Sequence, residues 1–223
     1  MSNSSVEVTS QPRSASYVPA AGHHATLSIY DPLVKAIGAD RAKGALIEQG
    51  GLSPAQRVLD IGCGTGTLAI LLSKRYPGID VHGLDPDPKA LARAERKAER
   101  ARVPAQFALG FSNQLPYSSE SFDRVFSSFM FHHVDPAQRE DTLREARRVL
   151  RAGGSFHLLD FARPQHGYGL FGHIMRSSPL LKDNTEARML ELFERAGFKS
   201  AQKVAGKTIL LGMVPIAYYS ARV

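Results

Sequence analysis

Cysteine occurs once in the 223 residues, at Cys63. It can build neither an intramolecular disulfide nor a thiolate metal cluster, and a reducing compartment is the default. Long apolar runs are missing too, and none nears the roughly 18 residues that span a bilayer. Residues 1–16 are Ser-rich and without the apolar core of a secretory signal. A cytoplasmic protein with no membrane span is expected, and no metal site is. Acidic side chains are in deficit, 21 Asp and Glu against 28 Lys and Arg, for a formal charge of +7 and a pI near 9.7. That balance raises nucleic acid or an anionic membrane as partner. Much of the excess, however, lies on one helical stretch (Lys89, Arg93, Arg96, Lys97, Arg100, Arg102) interleaved with Glu95 and Glu99. Such a run reads as a solvated face. The composition, 43% hydrophobic and 22% charged, suits one α/β domain with extensions and a sizeable core.

The chain is arranged around residues 57–67. A short apolar run, Arg57-Val58-Leu59-Asp60-Ile61, ends in three alternate glycines, Gly62, Gly64 and Gly66, and an apolar helical pattern starts at once with Leu68, Ala69 and Ile70. That is strand, tight loop, helix. Glycine belongs where the backbone takes positive φ or a ligand approaches closely, and amides at the helix start are expected to face that ligand. A dinucleotide loop wants Gly-x-Gly-x-x-Gly. Here position 67 is Thr, and Asp60 before the loop would repel a pyrophosphate while suiting a cationic group such as an amino group.

Downstream, further strands are expected at 79–84 ending at Asp85, 105–109, 123–128 and 155–159 closing at Asp160. Asp87 with Pro88 starts the basic helix, Asp135-Pro136 starts the next, and Gly153-Gly154 ends it. Alternating strands and helices imply a parallel sheet with right-handed crossovers. A helix near 185–195 is followed by two β-rich runs, 200–211 and 215–223, which pair most simply as an antiparallel hairpin.

At the glycine loop the chain resembles the class I S-adenosylmethionine (SAM)-dependent methyltransferases, whose first motif reads as Asp60-Ile61-Gly62-Cys63-Gly64-Thr65-Gly66 does. Asp85, Leu115-Pro116-Tyr117, Phe122-Asp123 and the run from Arg147 to Gly154 follow in order, most like the ubiquinone/menaquinone-biosynthesis-type (type 11) small-molecule enzymes. The resemblance implies a Rossmann-like, seven-stranded, mostly parallel α/β sheet with an antiparallel C-terminal hairpin, helices on both faces and an N-terminal helical addition. Residues 1–16, small and polar without periodicity, are expected to be a disordered tail, 17–50 with their helical pattern an extension over cofactor and substrate, and 51–223 the methyltransferase domain, with a substrate lid at 161–184 rich in aromatics and glycines.

The resemblance implies methyl transfer from SAM to a small, apolar or aromatic acceptor by in-line displacement, leaving S-adenosylhomocysteine. Cofactor contacts are expected from Asp60, Gly62, Cys63, Gly64, Gly66, Asp85, Pro86, Phe111, Ser112 and Phe129. Phe111 stands where the family commonly has the Asp near the adenine amine; it can stack on the ring or pack in the core. His133 and His132, after the fourth strand, can act as base or orient the acceptor, and Tyr30 resembles the Tyr that approaches the methionine end. Cys63 reads as a small packing residue, not a nucleophile, and His157 as a core histidine. The alternatives are an RNA or DNA methyltransferase, a non-catalytic SAM-binding protein and a nicotinamide dehydrogenase. The glycine spacing and the hairpin disfavour the last. The acceptor, the atom methylated and the oligomeric state are not specified.

Overall fold

The computed structural model describes residues 38–163, 177–178 and 181–223. The tail at 1–16, most of the extension at 17–50, Tyr30 and most of the lid at 161–184 lie outside them. In chain order the elements are α1 (Ala39–Gln49), β1 (Arg57–Ile61), α2 (Thr67–Arg75), β2 (Asp80–Asp85), α3 (Pro88–Ala101), β3 (Ala105–Leu109), β4 (Phe122–Ser128), α4 (Arg139–Val149), β5 (Leu150–Phe161), α5 (Glu186–Arg195), β6 (Ser200–Ile209) and β7 (Val214–Arg222).

Seven strands form one sheet in the order β3-β2-β1-β4-β5-β7-β6. The first five are parallel, while β7 runs antiparallel to both β5 and β6. The expected terminal hairpin is therefore present, with β7 inserted between β5 and β6. Side chains of a strand alternate between faces. Val58 accordingly joins a core with α1 and α2 residues such as Leu46 and Leu72, while Leu59 and Ile61 join one with Leu143 of α4 and Phe193 of α5. Helices thus cover both faces.

The helix starts follow their caps. Asp87 accepts the amide of Lys89 (2.8 Å) with Pro88 in the first turn, and Thr185 accepts that of Arg188 (3.3 Å). Two expectations need correction. Asp135-Pro136 opens a short 3₁₀ turn, and α4 begins only at Arg139. Gly153-Gly154 does not end that helix, because Leu150 already turns extended (φ −75°, ψ 135°) to pair with Phe122. The glycines sit instead inside β5, at a register shift, where a Cβ on Gly154 would lie 2.9 Å from the Arg151 carbonyl oxygen.

Candidate active site

β1 delivers Asp60 to the carboxyl end of the sheet, beside the point where strand order reverses between β1 and β4. Open α/β sheets bind ligands at such a point. The chain then turns through Gly62, Gly64 and Gly66, all at positive φ (71°, 53° and 74°). Their reasons differ. A Cβ on Gly62 would lie 2.1 Å from Met130 Cγ, and one on Gly66 2.8 Å from Ala94 Cβ, whereas one on Gly64 meets nothing within 4 Å among the described residues. Packing inside the protein sets Gly62 and Gly66. Gly64 leaves an open face.

The expectation that the loop amides face a ligand fails for four of them. Gly62 and Cys63 both donate to the Leu84 carbonyl (2.7 and 3.0 Å), Gly66 to that of Cys63 (2.9 Å), and Gly64 to Asp85 Oδ2 (2.8 Å). The tight turn directs these N–H groups back onto β2 and the loop itself. Asp85 also accepts the Asp87 amide through Oδ1 (2.9 Å), so it ties loop, strand end and α3 start together. Burial pushes its carboxyl up, against those two amides. Each carboxylate oxygen still has a lone pair to accept a further donor.

Asp60 has no such support. It is 1% exposed, and neither oxygen has a hydrogen-bond partner among the described residues. Burial raises its pKa to about 7, with the Lys43 charge opposing and Asp85 reinforcing. The Ala69 amide also lowers it, yet lies outside hydrogen-bond geometry. A buried, unpartnered carboxylate is costly, and its complement is a cation. Cys63 is buried, and its surroundings hold the thiol well above its usual range, first by burial and then by Asp60 and Asp85. It is no nucleophile.

Beyond β4, Phe129 takes φ +54° as its amide reaches the Leu159 carbonyl (2.8 Å), and its ring lies 5.1 Å from that of Phe161. His132 and His133 follow on a 3₁₀ turn with ring centroids 4.0 Å apart. They are not equivalent. Buried Asp160 accepts both the amide (2.7 Å) and Nδ1–H (2.6 Å) of His132, which fixes that ring. His133 Nδ1 is buried without a partner among the described residues, and burial, then the His132 charge, lowers its pKa to about 4. Pro86 is half-buried between Asp85 and Asp87. Phe111 is half-buried and bridges to Gln114, and Ser112 Oγ meets Thr142 Oγ1 at 3.1 Å. Tyr30 lies outside the described residues.

Residues 58–154 match the methyltransferase domain family. A demethylmenaquinone methyltransferase of Deinococcus radiodurans is 38% identical over 151 residues, 66% of this chain and 61% of that protein. An uncharacterized methyltransferase of Synechocystis is 37% identical over 130 residues, 58% of each chain. A SAM-dependent methyltransferase from Aquifex aeolicus shares the fold, with a TM-score of 0.63 at 20% identity over 81% of this chain and 89% of that one. The chain thus carries a methyltransferase domain over residues 58–154 and has the fold of SAM-dependent methyltransferases. It spans about three fifths of the length of the curated relatives it matches.

The site fits SAM, the cofactor of the methyltransferases whose fold the chain shares. SAM carries an ammonium and a sulfonium, and the carboxylate of Asp60, unpartnered among the described residues, answers to a cation. The open face at Gly64 admits a ligand close to the backbone. Sequence reasoning missed three residues that hold the site. Asp160 was legible only as the end of a strand, although Asp60 and Asp85 stand likewise near strand ends. Arg139, 2% exposed, donates to the Val134 carbonyl (3.1 Å) and to Asn184 Oδ1 (3.1 Å). Buried Asn184 in turn donates to the Phe161 carbonyl (2.9 Å), which staples the two ends of the 161–184 segment together beneath the histidine turn.

Proposed function

We propose that this chain transfers a methyl group from SAM to a small, apolar or aromatic acceptor by direct in-line displacement. The observation that carries the reading is the buried carboxylate of Asp60, unpartnered among the described residues, at the start of the loop in which Gly64 has an open face. Bound there, SAM would supply an electrophilic methyl on a sulfonium. Asp60 would hold the cationic end, and Asp85 would accept ribose hydroxyls through its remaining lone pairs. Phe129 and Phe161 would form an aromatic wall at the carboxyl ends of β4 and β5. The names of the demethylmenaquinone methyltransferase relatives support a small-molecule acceptor over nucleic acid. A cytoplasmic location is part of the same reading.

His133 orients the acceptor and does not deprotonate it. With a pKa near 4 its imidazole is neutral at pH 7 and a weak base, far from the matched value that general-base catalysis favours. Its unpartnered Nδ1 instead meets a polar group of the acceptor, with the ring braced by His132 and Asp160. Positioning of this kind can supply roughly 7–11 kcal/mol of a barrier.

The test pairs binding with turnover. A ligand cation stabilises the ionised form of Asp60, so SAM affinity rises with pH from about 5 to about 7 and levels above, the window set by a carboxyl near 7. Asp60→Asn abolishes that slope and weakens binding tenfold or more. A calorimetric titration unchanged in Asp60→Asn would remove Asp60 from the site. Transfer of label from isotopically labelled SAM to phenolic and quinol acceptors, and not to RNA, completes the test. Tight SAM binding with no transfer to any acceptor would make the chain a SAM-binding protein without catalysis.

A further inference from the structure

A second polar feature lies at the opposite, amino-terminal end of the strands, on the face shared with α1. It is a cavity of about 720 Å³ lined by residues of α1, β4, β5, β6 and β7. Two rungs of the sheet make its floor. Arg124, Ser155 and Arg222 are in register across β4, β5 and β7. In the next rung His157, Ser220 and Gln202 are in register across β5, β7 and β6. Residues paired directly across strands point to the same face, so polar side chains occupy the face on which Val58 and Phe126 are apolar core.

A chain of hydrogen bonds orients one of these groups. Gln49 Nε2 donates to the Tyr219 carbonyl (2.8 Å), which fixes it as the amide nitrogen. Its second hydrogen meets His157 Nδ1 (3.1 Å). Burial, then the charges of Arg124 and Arg222, lowers His157 to a pKa of about 3, so the ring is neutral and its single N–H is on Nε2. That N–H donates to Ser155 Oγ (2.8 Å). With its oxygen so engaged, the buried Ser155 hydroxyl has its hydrogen left to give to the cavity.

The charges point the same way. Arg124, Arg222 and Lys207 line the cavity, and the one acidic residue lining it among the described residues, Glu48, is paired with Arg75 at 2.7 Å. Arg124 uses Nε and one Nη1 hydrogen on the carbonyls of Gly50 and Asp123, which leaves its Nη2 hydrogens. Arg222 makes neither an ion pair nor a side-chain hydrogen bond among the described residues, and its charge acts directly on Arg124. Asp123, whose charge acts on Arg124 more strongly than that of Arg222, is itself paired with Arg151 at 3.0 Å, and two guanidinium groups beside an aimed hydroxyl have the donor set of an oxyanion site.

We infer that this cavity binds a phosphate-type oxyanion, free or as a phosphomonoester of a small molecule, held by Arg124, Arg222 and Ser155. The site stands apart from the glycine loop and does not depend on the proposed methyl transfer. Calorimetric titration of the full chain with inorganic phosphate, glycerol phosphate and glycerol tests it. Phosphate and its ester bind, and glycerol does not. Tighter binding of the ester assigns the site to a phosphorylated metabolite, and equal binding assigns it to free phosphate. Arg222→Gln, which removes no contact that holds the fold, weakens binding tenfold or more, and Ser155→Ala severalfold, with SAM affinity unchanged in both. The inference is overturned if no binding occurs at roughly 10 mM phosphate, or if Arg222→Gln binds as wild type. It is equally overturned if only RNA binds, with steep salt dependence.

Discussion

At the scale of single residues, the three loop glycines carry different burdens despite identical chemistry. Gly66 keeps α2 against Ala94 of α3 and Phe107 of β3, so Gly66→Ala overpacks that contact and costs about 1–3 kcal/mol in urea unfolding. Gly64→Ala meets no atom of the described residues and bears only the strain of its positive φ, about 1–2 kcal/mol. SAM affinity separates the two. It falls tenfold or more in folded Gly64→Ala and stays near wild type in Gly66→Ala; equal losses in both would move Gly64 out of the cofactor's path. The sequence contains all three glycines at even spacing but not this division, because the neighbours that distinguish them, Met130 and Ala94, come from remote stretches.

At the scale of elements, α4 acts as a clamp on the loop between β3 and β4. Glu145 and Arg148 form a two-point ion pair (2.7 and 2.8 Å). Glu145 Oε2 also accepts the Leu115 amide (2.8 Å), and Arg148 donates to the carbonyls of Leu115 (3.1 Å) and Tyr117 (2.8 Å). This explains why a Leu-Pro-Tyr loop and an arginine-rich helix end belong to one pattern. Hydrogen bonds to charged groups contribute roughly 1.5–3 kcal/mol each, with partial exposure reducing that. Arg148→Met should therefore lower stability by about 1–3 kcal/mol and speed hydrogen exchange at the Leu115 amide. Unaltered exchange there would mean that the loop holds itself. The basic helix α3 divides similarly. Lys89, Arg96 and Arg100 are exposed as a solvated face, but Lys97 reaches the hydroxyls of Thr65 (3.1 Å) and Thr67 (2.9 Å) at the glycine loop.

At the scale of the molecule, the sheet joins two polar ends with opposite responses to pH. His157 titrates near 3 in the folded chain and near 6.5 when unfolded. The unfolded state thus binds the extra proton between those values, and stability falls as pH drops below 6.5. Asp60 runs the other way, because its raised pKa makes the folded state the better proton acceptor between about 4 and 7. Relative to a His157→Gln variant, wild type should lose about 2 kcal/mol of stability between pH 7.5 and pH 5. Urea midpoints at the two pH values measure it. A constant difference would show that the ring is not held neutral.

The sequence by itself determined the strand and helix order, the cofactor loop and the antiparallel finish, since these rest on local periodicity, caps and glycine placement. It also separated His157 and Cys63 from the reactive groups. What it misjudged locally, the end of α4 and the start of β5, depends on Leu150 pairing with Phe122, a partner on another strand. The tertiary structure alone decided that, among the described residues, Asp60 is unpartnered while Asp85 is engaged, that Asp160 fixes His132 while His133 Nδ1 has no partner, and that Arg124, Ser155 and Arg222 share one rung. Those are matters of burial and cross-strand register. Neither has a signature along the chain, because each is set by which distant residues the sheet brings side by side.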